Sequence, residues 1–209
     1  MTTIVVPFRG IDGKRRLSSL PEPLRIELGL AMLWDVLAVC TTVAPTIVST
    51  SDPAGGDIAL EHGATLIDDP GGGQGAAVSA ALRATSGRVL VVNADLPCVA
   101  AADVVRLDTV TPTRGMALVV AEDGTTNALG LSSSTLFAPL YGPNSAERFR
   151  LHGEQLGVDV LLADVPMLAA DVDVIEDLER LQPCLGARTR RARASSQPVT
   201  SSNSSSPLS

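Results

Sequence analysis

The sequence predicts an α/β protein, a doubly wound and mainly parallel twisted sheet built as one domain over residues 1–187, and three observations predict it. Hydrophobic residues make up 45% of the 209 positions but aromatics only 2%, so the core is aliphatic, which suits parallel strands covered by helices on both faces. Short β-branched or aliphatic runs alternate at least four times with helix-like segments, the pattern of a sheet joined by crossovers. The length fits one core plus a tail.

In chain order, Thr2–Pro7, Thr46–Ser51, Ala64–Asp68, Arg88–Asn93 and Met116–Ala121 read as buried strands, each closed by Pro, Ser, Asp, Asn or a polar turn. Between them Pro23–Thr41, with Leu24, Leu28, Ala31 and Val36 at helical spacing, then Pro53–His62, Gly75–Ala84 and Ala100–Val110 read as helices. Beyond Glu122 the pattern loosens into a short strand at Ala128–Ser132, a helix starting near Asn144, a strand at Val158–Leu162 and a closing helix at Ile175–Leu185. Irregular insertions on this side of such a sheet often build a binding site. Residues 188–209, rich in Ser and Arg and poor in large apolar side chains, are expected to be a disordered tail.

The charge is −7, and every acidic residue precedes Arg188 while four of the 16 basic ones lie at or beyond it, so the folded body is more acidic than the whole. Such a surface repels nucleic acid and anionic lipid, and an anionic ligand must be held locally by a metal or clustered cations. Cys40, Cys98 and Cys184 are odd in number and widely spaced, which predicts buried reduced thiols rather than a disulfide framework. With no basic leader ahead of an apolar stretch, and no apolar run of 18 residues, the expected location is the cytoplasm.

Several motifs could carry chemistry. The loop P-F-R-G-I-D-G-K-R-R-L after the first strand gathers Arg9, Lys14, Arg15 and Arg16 near Gly10 and Gly13, and Lys14 is the sole lysine. The glycines let amides approach a phosphate, and Lys14 and Arg16 would neutralise a triphosphate and its departing pyrophosphate; a solvated basic loop would read the same. In V-L-V-V-N-A-D-L-P, Asp95 stands at a rigid strand end, where a carboxylate can hold a divalent cation or simply cap a turn. Asp171 and Asp173 in A-A-D-V-D-V share one side of an extended segment, a poor buried pair but a natural metal cradle. Asn127 in D-G-T-T-N-A-L offers neutral hydrogen bonds, as does Ser145 in Y-G-P-N-S, where Gly142 permits close backbone approach and a helix would present its positive end to a carboxylate or phosphate. The run D-D-P-G-G-G-Q-G-A matches G-x-G-x-x-A through Gly71, Gly73 and Ala76, but after the third strand rather than the first, so a turn passing close to a base or ribose competes with a dinucleotide site.

Taken in order, P-F-R-G with G-K-R-R-L, N-A-D-L-P, D-G-T-T-N-A-L, Y-G-P-N-S and D-V-D-V resemble the phosphoenolpyruvate or 2-phospho-L-lactate guanylyltransferases of coenzyme F420 biosynthesis, from about Thr3 to Leu185. The resemblance implies a fold like that of the nucleotide-diphospho-sugar transferases and transfer of GMP from GTP, with Mg²⁺ as cofactor and loss of pyrophosphate. It implies metal ligands at Asp95, Asp171 and Asp173, phospho-acid contacts at Asn127, Gly142 and Ser145, and a basic triphosphate loop at Lys14 and Arg16, which would be catalytic; Gly10 and Gly75, read from the glycine-bearing turns themselves, complete the expected nucleotide contacts. Its expected partners are GTP, a phosphorylated three-carbon acid and a downstream transferase, with neither nucleic acid nor membrane. The chain departs from its relatives at Gln74-Gly75, where Leu-Asn is frequent, and at Phe149, where His is frequent. In the family it resembles, actinobacterial members are associated with phosphoenolpyruvate and archaeal ones with 2-phospholactate. The Arg-over-Lys, Ala-rich composition leans to a GC-rich bacterium, so the resemblance favours phosphoenolpyruvate as acceptor, with 2-phospholactate and 3-phosphoglycerate left open. From other classes, a dinucleotide-dependent oxidoreductase using the glycine run, or a non-catalytic nucleotide-binding module, would leave the aspartates or the basic loop unexplained.

Overall fold

The computed structural model describes residues 1–10, 17 and 20–196. Seven strands form one sheet in the order β3-β2-β1-β4-β6-β5-β7. These are β1 (Thr2–Pro7), β2 (Thr46–Ser49), β3 (Thr65–Ile67), β4 (Arg88–Val92), β5 (Gly115–Val120), β6 (Thr126–Leu131) and β7 (Asp159–Leu162). Neighbours run parallel except at β6, which is antiparallel to both β4 and β5. The short turn between β5 and β6 makes a hairpin, because only antiparallel strands can be joined without a crossover.

The helices are α1 (Glu22–Val43), α2 (Pro53–Glu61), α3 (Gln74–Leu82), α4 (Ala101–Val110), α5 (Ser145–Gln155), α6 (Pro166–Ala169), α7 (Ile175–Arg180) and α8 (Ala187–Ser196). Their ends follow from local chemistry. Asp52 starts α2 by accepting the Gly55 amide at 2.8 Å, with Pro53 following, and Asp103 in the first turn of α4 accepts the Ala100 amide at 2.8 Å.

Alternation along the central strands divides the core. Ile4, Val6, Leu90 and Val92 pack with Leu33, Val36 and Leu37 of α1 and Leu107 of α4 on one face. Val5, Val89 and Val91 meet Val78 and Ala81 of α3 and Phe149 of α5 on the other. Phe149, one of the departures from the family pattern, is therefore a fully buried packing residue. Behind the sheet's carboxyl edge a third, smaller cluster joins Leu28 and Met32 of α1 to Val172, Leu178, Leu181 and Leu185. Among the described residues α1 alone is long and apolar enough to cross a membrane, and here its Leu33, Val36, Leu37 and Cys40 are fully buried in the core.

Three expectations are corrected. Residues 188–196 continue the fold as α8 instead of starting a disordered tail; residues 197–209 lie outside the described residues. The composition misleads here because α8 is held at its start: the Asp35 carboxylate on α1 accepts the amides of Arg188 at 3.1 Å and Thr189 at 2.8 Å. The Arg188 guanidinium lies 4.2 Å over the Trp34 ring, and Ala192 is buried. Cys98 and Cys184 form a disulfide across 86 residues, and only Cys40 is a buried free thiol. The fold brings together two cysteines that sequence distance had separated. The closing helix ends at Arg180 rather than Leu185, since Pro183 has no amide to continue it.

Candidate functional site

At the carboxyl edge of the parallel strands lies an open cleft of about 420 Å³, bounded by the ends of β1 and β4, the start of β6, the start of α5 and the segment before α7. A second hollow of about 730 Å³ continues from it over the glycine run and α3. Arg9, Gln74, Tyr141 and Gly142 line both, so they stand where the two meet.

Asp95 stands just past the end of β4, beyond Asn93 and Ala94, and its carbonyl accepts the Val172 amide at 3.1 Å, which draws the segment of Asp171 and Asp173 alongside. One carboxylate oxygen from each of Asp95, Asp171 and Asp173 lies within 4.8 Å of the others. Burial, and then the neighbouring Asp95 carboxylate, push Asp171 up to about 6, while a hydrogen bond from Asn127 opposes the rise and Asp173 adds to it. Three hard oxygen donors crowded together and partly shielded from water form a set that a divalent cation would relieve, so the residues present fit one.

Asn127 is 1% exposed; its amide donates to the Ala169 carbonyl at 3.2 Å and reaches Asp171. The strand reversal at β6 is what brings a residue from the beginning of a strand to the edge where the others end. Ser145 opens α5 and is fully buried. Its hydroxyl accepts the Thr126 amide at 2.9 Å and donates to the Thr126 hydroxyl at 3.2 Å, so it anchors α5 to β6 as well as bordering the cleft. Gly142 has φ 114°, a left-handed value suited to glycine, two residues before Asn144 at φ 55°. These turns aim the amino end of α5 at the cleft.

Gly10 (φ 55°) sits so close to Asp52 that a Cβ would lie 2.5 Å from its carboxylate oxygen. Gly75, in the first turn of α3, is packed against Pro139, whose Cβ and Cα would stand 2.7 and 2.9 Å from any Cβ added there. That contact accounts for glycine at the second position of the Gln74-Gly75 departure, since Pro139 occupies the space a side chain at 75 would need. Lys14 and Arg16 lie outside the described residues.

Three further residues line the cleft, none of them given an individual role in the sequence reading, although Arg9 was counted in the basic loop. Arg9 is the described cation at the junction of the two hollows. Gln74 donates from its amide to the Asn93 side chain at 2.6 Å, linking α3 to the end of β4. Tyr141 packs edge-on to Phe149 at 5.3 Å, and its buried hydroxyl, pushed up by burial, finds no hydrogen-bond partner among the described residues. Arg9 and Tyr141 stood within the motifs already marked, and Gln74 within the glycine run; only their three-dimensional convergence was missing.

The chain is 32% identical over 203 residues to a phosphoenolpyruvate guanylyltransferase of Mycobacterium sp. strain KMS, covering 93% of this chain and 91% of the relative. It is 34% identical over 185 residues to a protein of the same name from Roseiflexus sp. strain RS-1, covering 83% and 82%. Among solved structures, a nucleotide-diphospho-sugar transferase described from Desulfovibrio desulfuricans superposes with a TM-score of 0.68 at 15% identity, over 86% of this chain and 85% of that one. The 2-C-methyl-D-erythritol 4-phosphate cytidylyltransferase of Thermus thermophilus gives 0.57 at 18%, over 86% and 96%. These structural likenesses establish the doubly wound nucleotide-diphospho-sugar transferase fold. Residues 2–189 match the family described as guanylyl transferase, CofC like, and with this coverage and the identities above the chain belongs to that family.

Proposed function

We propose that the protein transfers GMP from GTP to phosphoenolpyruvate, releasing pyrophosphate, as a step of coenzyme F420 biosynthesis in the cytoplasm. The observation that carries the reading is the convergence of Asp95, Asp171 and Asp173 at the floor of a cleft that also receives the amino end of α5. A divalent cation, which we take to be Mg²⁺, would supply charge neutralisation at the triphosphate there.

The acceptor's phosphate oxygen is already ionised at neutral pH, so attack on the α-phosphorus needs alignment and charge neutralisation rather than a general base. Asp95, Asp171 and Asp173 are assigned to the cation. Asn127, Gly142 and the α5 terminus at Ser145 are assigned to the anionic acceptor, with neutral donors and a helix dipole that hold phosphate or carboxylate. Gly10, Gly75 and the hollow above α3 are assigned to the nucleotide, with Arg9 beside them. Lys14 and Arg16 are assigned to the departing pyrophosphate from sequence alone. A downstream transferase consuming the activated product would be the partner.

The test is pyrophosphate release with each nucleoside triphosphate crossed against phosphoenolpyruvate, 2-phospho-L-lactate and 3-phosphoglycerate. The expected pair is GTP with phosphoenolpyruvate. Release with 2-phospho-L-lactate alone would move the acceptor assignment, and no release with any pair would overturn the reading.

A further inference from the structure

The carboxylates that converge in the cleft come from two segments that are joined again behind it. Cys98 lies three residues beyond Asp95, and Cys184 lies at the end of the turn that follows α7. The intervening chain is stiff. The Asp177 carboxylate in the first turn of α7 accepts the backbone amides of Asp173 at 2.9 Å and Val174 at 3.0 Å, and also pairs with Arg180 at 2.7 Å. On the opposite segment the Pro97 carbonyl accepts the Gly186 amide at 2.8 Å, beside the disulfide. Val172 to Asp95 in front and Cys98–Cys184 behind thus close a ring of contacts around Leu178, Leu181 and Leu185.

We infer that the Cys98–Cys184 disulfide is a positioning pair for the Asp95, Asp171 and Asp173 cluster, and that its reduction by a dithiol weakens divalent-cation binding at that cluster. The inference rests on the metal-site reading above. Three like charges crowded together push their two segments apart, and the apolar cluster behind them is the smallest of the three cores, so a covalent tie is well placed to resist the separation. Such support behind the ligands sets how well they converge on a cation.

The bond is also reachable. Cys184 is exposed while Cys98 is buried, so an incoming thiolate attacks the Cys184 sulfur and the Cys98 sulfur leaves as a thiolate, which takes up a proton. The reductant's second thiol then displaces Cys184 from the mixed disulfide. Two electrons pass to the protein, and the dithiol becomes a disulfide. Cys40 is buried in the main core, with its thiol pushed up to about 12 by burial, and takes no part in the exchange.

The test uses the full-length protein. Alkylation after denaturation without reductant should count one free thiol; three would overturn the proposal. Mn²⁺ titration followed by electron paramagnetic resonance then compares the oxidised protein, the dithiothreitol-reduced protein and the Cys98→Ala/Cys184→Ala variant, with Cys40→Ala as control and circular dichroism reporting the fold. Reduction and the double variant should weaken Mn²⁺ binding roughly tenfold, the scale of losing support behind a metal ligand, and reoxidation should restore it. Unchanged Mn²⁺ affinity after reduction, whether or not the melting temperature falls, would make the disulfide a staple only and defeat the proposal. Reduced wild type keeps the test decisive if the double variant does not fold. Absence of Mn²⁺ binding to the oxidised protein, or binding indifferent to Asp95→Asn, would instead defeat the metal-site reading beneath it.

Discussion

Replacing Asp95 by Asn removes one charge from three crowded carboxylates without removing core volume, so turnover and stability should separate. Turnover is expected to fall by about a hundredfold or more while the melting temperature holds; initial rates and thermal melts on one preparation check this. Asp171 gives the cluster a pH signature. Its carboxyl, raised to about 6 chiefly by burial, must ionise before it can ligate a cation, so cation affinity is present above pH 6 and falls as the pH drops below it. Mn²⁺ titrations at pH 5, 6 and 7 should show that order. In the cation-free protein the same shift makes stability fall as pH rises from about 3.8 to about 6, because the native state keeps a proton that the unfolded chain has lost. Ser145 is a different case. Ser145→Ala leaves the buried Thr126 amide without its acceptor, so about 1–3 kcal/mol of stability should be lost in urea melts along with any loss of acceptor affinity. The sequence motif marked Ser145 as a donor to a ligand; the hydrogen bonds that occupy it come from a strand 19 residues earlier, which no local motif reveals.

At the scale of elements, the strands were legible wherever a β-branched or aliphatic run closed on a turn, as β1, β2, β4 and β5 do. The direction of β6 was less plain, although the short polar turn before it allows only a hairpin. Helix α8 was not legible, because its stability comes from Asp35, more than 150 residues earlier, and from Trp34 beneath Arg188, rather than from an apolar stripe. Asp35→Ala should therefore cost about 0.5–2 kcal/mol, the usual loss for a removed helix cap, measurable by chemical denaturation. Deleting residues 187–209 should lower the melting temperature, whereas deleting 197–209 should leave both melting and turnover unchanged. The three aspartates were legible as a set because i and i+2 spacing and a strand end are local signals. The disulfide was not, since pairing across 86 residues depends on the Val172 and Gly186 backbone contacts that only the folded chain makes.

Across the whole molecule the cleft has two walls of different origin. One side is built from the ends of β1 and β4 and the start of α3, the other from β6, its preceding turn and α5. The second wall is a contiguous stretch, residues 121–155, and it enters the sheet through a strand that runs against its neighbours. That reversal has an evolutionary consequence. One strand, β6, and one helix, α5, could be exchanged between relatives as a cassette, its two junctions lying at the end of β5 and before β7, without altering the crossovers that hold the opposite wall. Under the site assignments proposed above, acceptor choice would then drift while nucleotide choice is inherited, and one scaffold would diversify by swapping a single segment of its own chain.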